Sequence, residues 1–249
     1  MKKYKKELII AVISLILFAL VTIFVFAIGS QQFDTDVFNA VAKLRNDFFI
    51  LFFKVVTFIA SKYFTIILVV ILPFVLWNRN KSTYKKFMKN EKGNNFLNLI
   101  KPWLIFGLAV AAVTILFFII KFIFQRDRPF DWFLVFESGH SFPSGHTATA
   151  VTMYGTISLL LNYTFDKKWL KVLTTTLTSI IVVLVGISRI FLGVHYTTDV
   201  IAGLFLGIFV ISFVSIAIKA MDARIDYRKA DATHKKEDNN VEQQNNDNN

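Results

Sequence analysis

Apolar and polar positions fall along this chain in long blocks. Lys2, Lys3, Lys5 and Lys6 precede an apolar run from Leu8 to Ile28, and its 21 residues match the length a helix needs to cross a bilayer. The run is too long for a signal-peptide core, so Ala27-Ile28-Gly29 reads as part of a retained first helix, although it loosely mimics a cleavage site. Val37, Val41 and Leu44 then recur at helical spacing between Asp34, Asp36, Lys43, Arg45 and Asp47, which predicts a short helix lying at the membrane surface. Further apolar runs extend from Val55 to Trp77, from Trp103 to Ile120 behind Pro102, from Gly145 to Phe165, from Leu170 to Ser188 and from Thr198 to Ala217. The pattern predicts an all-α, polytopic bundle of six transmembrane helices, with the interfacial helix between the first and the second. Residues 1–221 form one integral membrane domain, and the polar tail 222–249, ending in Asn and Gln, is expected to be disordered and cytoplasmic.

Composition agrees with this pattern: 55% of the residues are hydrophobic, 28 are Phe, and the mean hydropathy is +0.53. A formal charge of +11 would suggest nucleic acid as partner in a soluble protein, but the cations are distributed otherwise. Of 28 Lys and Arg, four lie before the first helix, seven between 78 and 101, three between 166 and 171, and six from Lys219 onward. By the positive-inside rule both termini face the cytoplasm of a cell membrane, and the partners are membrane lipids rather than nucleic acid. The absence of cysteine excludes disulfides and thiol chemistry and fits a bacterial membrane protein. Gly203 and Gly207 form a Gly-x3-Gly on helix six; close packing within one bundle is preferred to a homodimer face. Thr174-Thr175-Thr176 is expected to bond its own backbone or a neighbouring helix.

Candidate chemistry is concentrated between Lys121 and Asp199. The segment holds Lys121-x6-Arg128-Pro129, Pro143-Ser144-Gly145-His146 and Ser188-Arg189-x5-His195-x3-Asp199. Polar groups in apolar surroundings are costly, so such a concentration points to function. Phosphate-ester hydrolysis needs fixed positive charge, a nucleophile and a proton donor. Lys121, Arg128 and Arg189 can supply the charge, with the arginine fork matching two phosphate oxygens. The turn Ser144-Gly145, opening a helix after Pro143, would aim backbone N–H groups at the remaining oxygen. His195 and Asp199 are four apart and share a face if the helix has begun by His195. The carboxylate would then hold one ring nitrogen as N–H and leave the other free to attack phosphorus. His146 remains as the proton donor. By the predicted topology the helix ends carrying Lys121, Arg128, His146, Arg189, His195 and Asp199 all meet on the outer face. Singly, each piece has an ordinary reading as an interfacial snorkel, a helix-start hydrogen bond or a turn.

At these residues the chain resembles the type 2 phosphatidic acid phosphatase superfamily, which includes lipid phosphate phosphatases, bacterial phosphatidylglycerophosphate and undecaprenyl diphosphate phosphatases, and vanadium haloperoxidases. All eleven specified residues of the three motifs are present in order. The resemblance implies a metal-independent phosphatase working through a phosphohistidine, with His195 as nucleophile, Asp199 as its orienting partner and His146 as general acid. It likewise implies a phosphate cradle of Lys121, Arg128, Ser144, Gly145 and Arg189. No cofactor is expected, and a metal held by His195, Asp199 and His146 is disfavoured because three cations would repel it. The expected substrate is a lipid phosphate at the outer leaflet. Undecaprenyl diphosphate comes first, with Arg126 and His140 as candidates for its second phosphate, and phosphatidylglycerophosphate or phosphatidic acid next. A lipid phosphotransferase and a non-catalytic phosphate-binding or transport protein are the competing readings.

Overall fold

The computed structural model describes residues 4–61, 63–68, 70, 96–129, 133–164 and 167–220. Every regular element among them is helical. In chain order they are α1 (Lys5–Ile23), continued by a π-helical turn over Phe24–Gly29, then α2 (Gln31–Ala42), α3 (Asp47–Phe58), α4 (Phe96–Phe124), α5 (Gly145–Thr164), α6 (Lys168–Phe191) and α7 (Thr197–Ala220).

Four helical stretches are long and apolar enough to cross a membrane: Lys5–Gly29, Leu104–Phe124, Lys168–Phe191 and Thr197–Ala220. Two of the six expected spans differ from a plain apolar rod. The first is α5, which carries Thr147, Thr149, Thr152, Thr156 and Ser158 as buried residues. It packs on α4 and α6, and α7 covers it through Gly203 and Gly207, so its sides meet protein rather than lipid and need not be uniformly apolar. The second is the run expected from Val55 to Trp77. Its helix starts earlier, at Asp47, where the Asn46 side chain accepts the Phe49 N–H at 2.9 Å, and ends at Phe58. A turn over 59–61 follows, and Tyr154 on α5 donates to the freed Ile59 carbonyl at 2.7 Å. A short helical stretch resumes at 63–68. The rest of that run, most of the basic 78–101 loop, and the tail from 222 lie outside the described residues.

Two apolar clusters hold the bundle together. One joins Ala109 and Val113 of α4, Ala148 and Leu160 of α5, and Leu206, Val210, Val214 and Ile218 of α7. The other joins Val56, Phe106, Met153, Tyr154 and Val185 from α3 to α6. The outer faces of α1, α4 and α6 expose residues such as Ile16, Leu20, Leu108, Phe118, Val172 and Val183, which suits hydrocarbon. At one end of the bundle Lys219 of α7 pairs with Glu7 of α1 at 2.5 Å. At the opposite end come together the C-termini of α4 and α6, the N-termini of α5 and α7, and α2.

Candidate active site

The site begins with the turn Leu192–Tyr196 between α6 and α7. Gly193 takes a positive φ of 73°, which a glycine adopts without steric cost, and the chain reverses so that His195 and Asp199 share one corner. The helix begins only at Thr197, so helical register is not what pairs them. The turn closes on itself instead: His195 Nδ1 lies 3.3 Å from Asp199 Oδ2, which also accepts the Tyr196 N–H at 3.0 Å. A carboxylate on Nδ1 holds the proton there and leaves Nε2 unprotonated. His195 and Asp199 are both buried. Burial holds the His195 ring well below the usual imidazole range, with Arg128, Lys121 and Arg189 pushing the same way against Glu137, so the ring is a neutral base at physiological pH.

Nε2 faces the anion-binding part of the site. Arg128 NH1 lies 3.2 Å from it and donates to the Val194 carbonyl at 2.8 Å, while Arg128 Nε donates to the Gly139 carbonyl at 2.8 Å. Arg189 is fully buried at the end of α6 and donates to Thr57 of α3 and to the Glu137 carboxylate. Lys121 donates to the His140 carbonyl and, at 3.0 Å, to that of Ser141, and thereby ties the end of α4 to the connecting segment.

The centre of this arrangement is Glu137. Besides Arg189, its carboxylate meets Arg128 at 3.3 Å, His146 Nδ1 at 3.7 Å and His195 Nε2 at 3.9 Å. Burial by itself would raise its pKa, but Arg189, His146, His195 and Arg128 hold it down at about 2. An anion thus sits between the two histidines and against two arginines. A cavity of about 550 Å³ adjoins it, lined among others by Arg128, Phe133, Phe136, His140 and Val194.

The sequence expectations for the cradle need one correction. The Ser144 N–H does not face this anion; it donates to the Asp199 carbonyl at 2.9 Å, because α5 starts directly against the first turn of α7. The Ser144 side chain caps α5, accepting from Thr147 Oγ1 at 3.0 Å and from the Thr147 N–H at 3.4 Å. Gly145 opens the helix beside the Phe117 ring, where an added Cβ would meet carbon at 3.2 Å.

Arg126 also differs from its expected use on a second phosphate. Its NH1 donates to Asp199 Oδ1 at 2.7 Å and its NH2 to Asp34 Oδ2 at 2.8 Å. His140 does line the cavity. Asp34, Thr57 and Glu137 were not legible as site residues. Asp34 sits in a segment that reads as a short helix at the membrane surface, Thr57 lies in an apolar run, and Glu137 is one carboxylate in a connecting segment with no spacing rule to mark it.

Known proteins resemble the segment that carries these residues. Residues 102–221 match the model of the PAP2 superfamily. Phosphatidylglycerophosphatase B of Bacillus subtilis is 40% identical over 103 residues, 41% of this chain and 48% of the relative. An undecaprenyl-diphosphatase of Sulfolobus acidocaldarius is 37% identical over 106 residues, 40% of this chain and 47% of the relative. The chain therefore spans about half the length of the curated relatives it matches. Among solved structures, the transmembrane PAP2-type phosphatidylglycerolphosphate phosphatase of Bacillus subtilis superposes with a TM-score of 0.64 at 27% identity, covering 90% of this chain and 98% of that one. Aquifex aeolicus LpxE shares the fold, with a TM-score of 0.54 at 23% identity over 74% of this chain and 94% of that one. The segment from 102 to 221, with the helix ends that build the site, is a membrane-embedded domain of the PAP2 superfamily.

Proposed function

We propose that this protein is a metal-independent lipid phosphatase acting through a phosphohistidine on His195. The observation that carries the reading is the Glu137 carboxylate, an anion held by Arg128 and Arg189 between His195 Nε2 and His146 Nδ1. A phosphate that displaced it would have a nucleophile on one side and a proton donor on the other. Nε2 attacks phosphorus and the bond to the lipid oxygen breaks, with His146 giving that oxygen its proton. Nδ1–H stays on Asp199 and steadies the charge left on the ring. Water then attacks the phosphohistidine, returns a proton to His146 and frees inorganic phosphate. Lys121, Arg128, Arg189, Ser144 and Gly145 serve this step as cradle or as its frame. A pure phosphate binder needs no oriented imidazole pair, which argues against the transport reading.

Phosphatidylglycerophosphate is the proposed first substrate. Of the two residues expected to serve the second phosphate of an isoprenoid diphosphate, His140 lines the cavity but Arg126 is held by two carboxylates. A curated relative and a nearly fully aligned solved structure bear the phosphatidylglycerophosphatase name. The test is phosphate release by the purified full-length protein in mixed micelles of phosphatidylglycerophosphate, phosphatidic acid or undecaprenyl diphosphate, with and without EDTA. Release that survives chelation and disappears in His195→Ala and in His146→Ala is expected, with kcat/KM highest for phosphatidylglycerophosphate. Full activity in His195→Ala would overturn the mechanism, and a tenfold preference for the diphosphate would overturn the substrate.

A further inference from the structure

Behind the nucleophile lies a second layer of charge that the reaction does not consume. Asp199 presents one oxygen to His195 and the Tyr196 N–H; the other accepts Arg126 NH1 at 2.7 Å. The second arm of the same guanidinium donates to Asp34 Oδ2 at 2.8 Å and to Ser30 Oγ at 3.1 Å, and NH1 also reaches Thr198 Oγ1 at 2.8 Å. The face of the guanidinium lies over the Tyr196 ring, 4.0 Å from its centroid. Asp34 in turn accepts the Thr198 N–H at 2.9 Å and the Thr198 hydroxyl at 2.8 Å, so a carboxylate from α2 caps the N-terminus of α7. Both carboxylates have side chains with 0% exposure, where an uncompensated charge is strongly unfavourable.

From this we infer that Arg126 and Asp34 are positioning residues for His195: they fix the rotation of the Asp199 carboxylate, and through it the tautomer and aim of the imidazole. The planar fork matters, since it spans two carboxylates that a point charge could not hold in one plane. The kinetic consequence rests on the phosphatase reading; the effect on the ring does not. The arrangement also assigns α2 a task. It delivers Asp34 to the nucleophile's support from outside residues 102–221 that carry the three motifs.

The experiment uses the full-length protein in detergent, as wild type, Arg126→Ala, Arg126→Lys, Asp34→Asn and the Arg126→Ala/Asp34→Asn pair, each checked for thermal stability. In kinetics on a monophosphate and a diphosphate lipid, Arg126→Ala is expected to lower kcat by about 100-fold or more on both, with KM changed by less than about threefold. Arg126→Lys should recover part of the loss, and the double variant should be little worse than Arg126→Ala, because both act through one chain of contacts. An unchanged kcat, or a KM rise confined to the diphosphate, overturns the inference in favour of a substrate contact. The second readout is ¹⁵N NMR of labelled histidine. His195 should be a single Nδ1–H tautomer in the wild type and a mixture in Arg126→Ala and, if that variant does not fold, in Asp34→Asn. A wild-type tautomer that persists in a folded variant overturns the inference, whether or not phosphate is released. Absence of phosphate release by the wild type would overturn the functional reading alone.

Discussion

At the scale of single residues, the surroundings of His195 set its protonation. His195 is buried, faces three cations and has a carboxylate on Nδ1, so its base form persists to lower pH than a free imidazole. On the proposed mechanism the sign follows directly: a nucleophilic His195 is lost on protonation, and a lowered pKa moves that loss to more acidic pH. The acid limb of kcat/KM, which reports the free enzyme, is therefore expected below pH ~6.5, the ordinary histidine value. A pH–rate profile in mixed micelles checks it; an acid limb at or above neutrality contradicts the charge arrangement described for His195. Asp199→Asn should lose about 10⁴-fold in kcat while the protein stays folded, because an amide in place of the carboxylate no longer selects the Nδ1–H tautomer. That loss is to be measured beside the Asp199→Asn melting temperature.

Among elements, the approach of α7 to α5 decides the most. A Cβ on Gly203 would lie 2.6 Å from the Ser144 carbonyl oxygen, and one on Gly207 would lie 2.5 Å from the Val151 Cβ. The Gly-x3-Gly is thus used inside the bundle, where it lets two backbones meet. Gly203→Ala must push α7 away from the turn whose Ser144 N–H rests on Asp199, so it should cost about 1–3 kcal/mol and reduce kcat as well. Gly155→Ala offers a control, because its Cβ meets only the flexible Ile211 side chain, whose terminal carbon makes the close contact, and no backbone. Melting temperatures in detergent should fall clearly for the first and little for the second. Equal values would mean that the close approach at Ser144 is not tight. The α5–α6 contact is held differently. Asn162 accepts from Thr174 at 2.7 Å and donates to Thr175 at 2.9 Å, and Ser158 meets Thr175 at 3.2 Å. Thr174 also bonds back to the Leu170 carbonyl at 2.9 Å, so both expected uses of the threonine run occur.

For the whole molecule, the Glu7–Lys219 pair and the cluster around His195 occupy opposite ends of the bundle. Because Lys and Arg concentrate in the sequence before α1 and after α7, we propose by the positive-inside rule that the Glu7–Lys219 end faces the cytoplasm and the site the outer face. A reporter fused after Lys219 should read cytoplasmic and a tag near Ser138 external; the reverse would present the site to cytoplasmic lipids. The sequence by itself determined the helical class, most helix boundaries and the motif residues that gather at one end of the bundle. These follow from long apolar blocks and from charged residues placed at their ends, both of which are local features. Only the tertiary structure decided which partner each polar group takes. Arg126 reads in the chain as a candidate for a second phosphate but is bound by Asp34, 92 positions away, and Glu137 is one carboxylate in a connecting segment but lies against Arg189, 52 positions away. Such pairings depend on how helices cross, and no spacing along the chain encodes a contact between elements that fold against each other from so far apart.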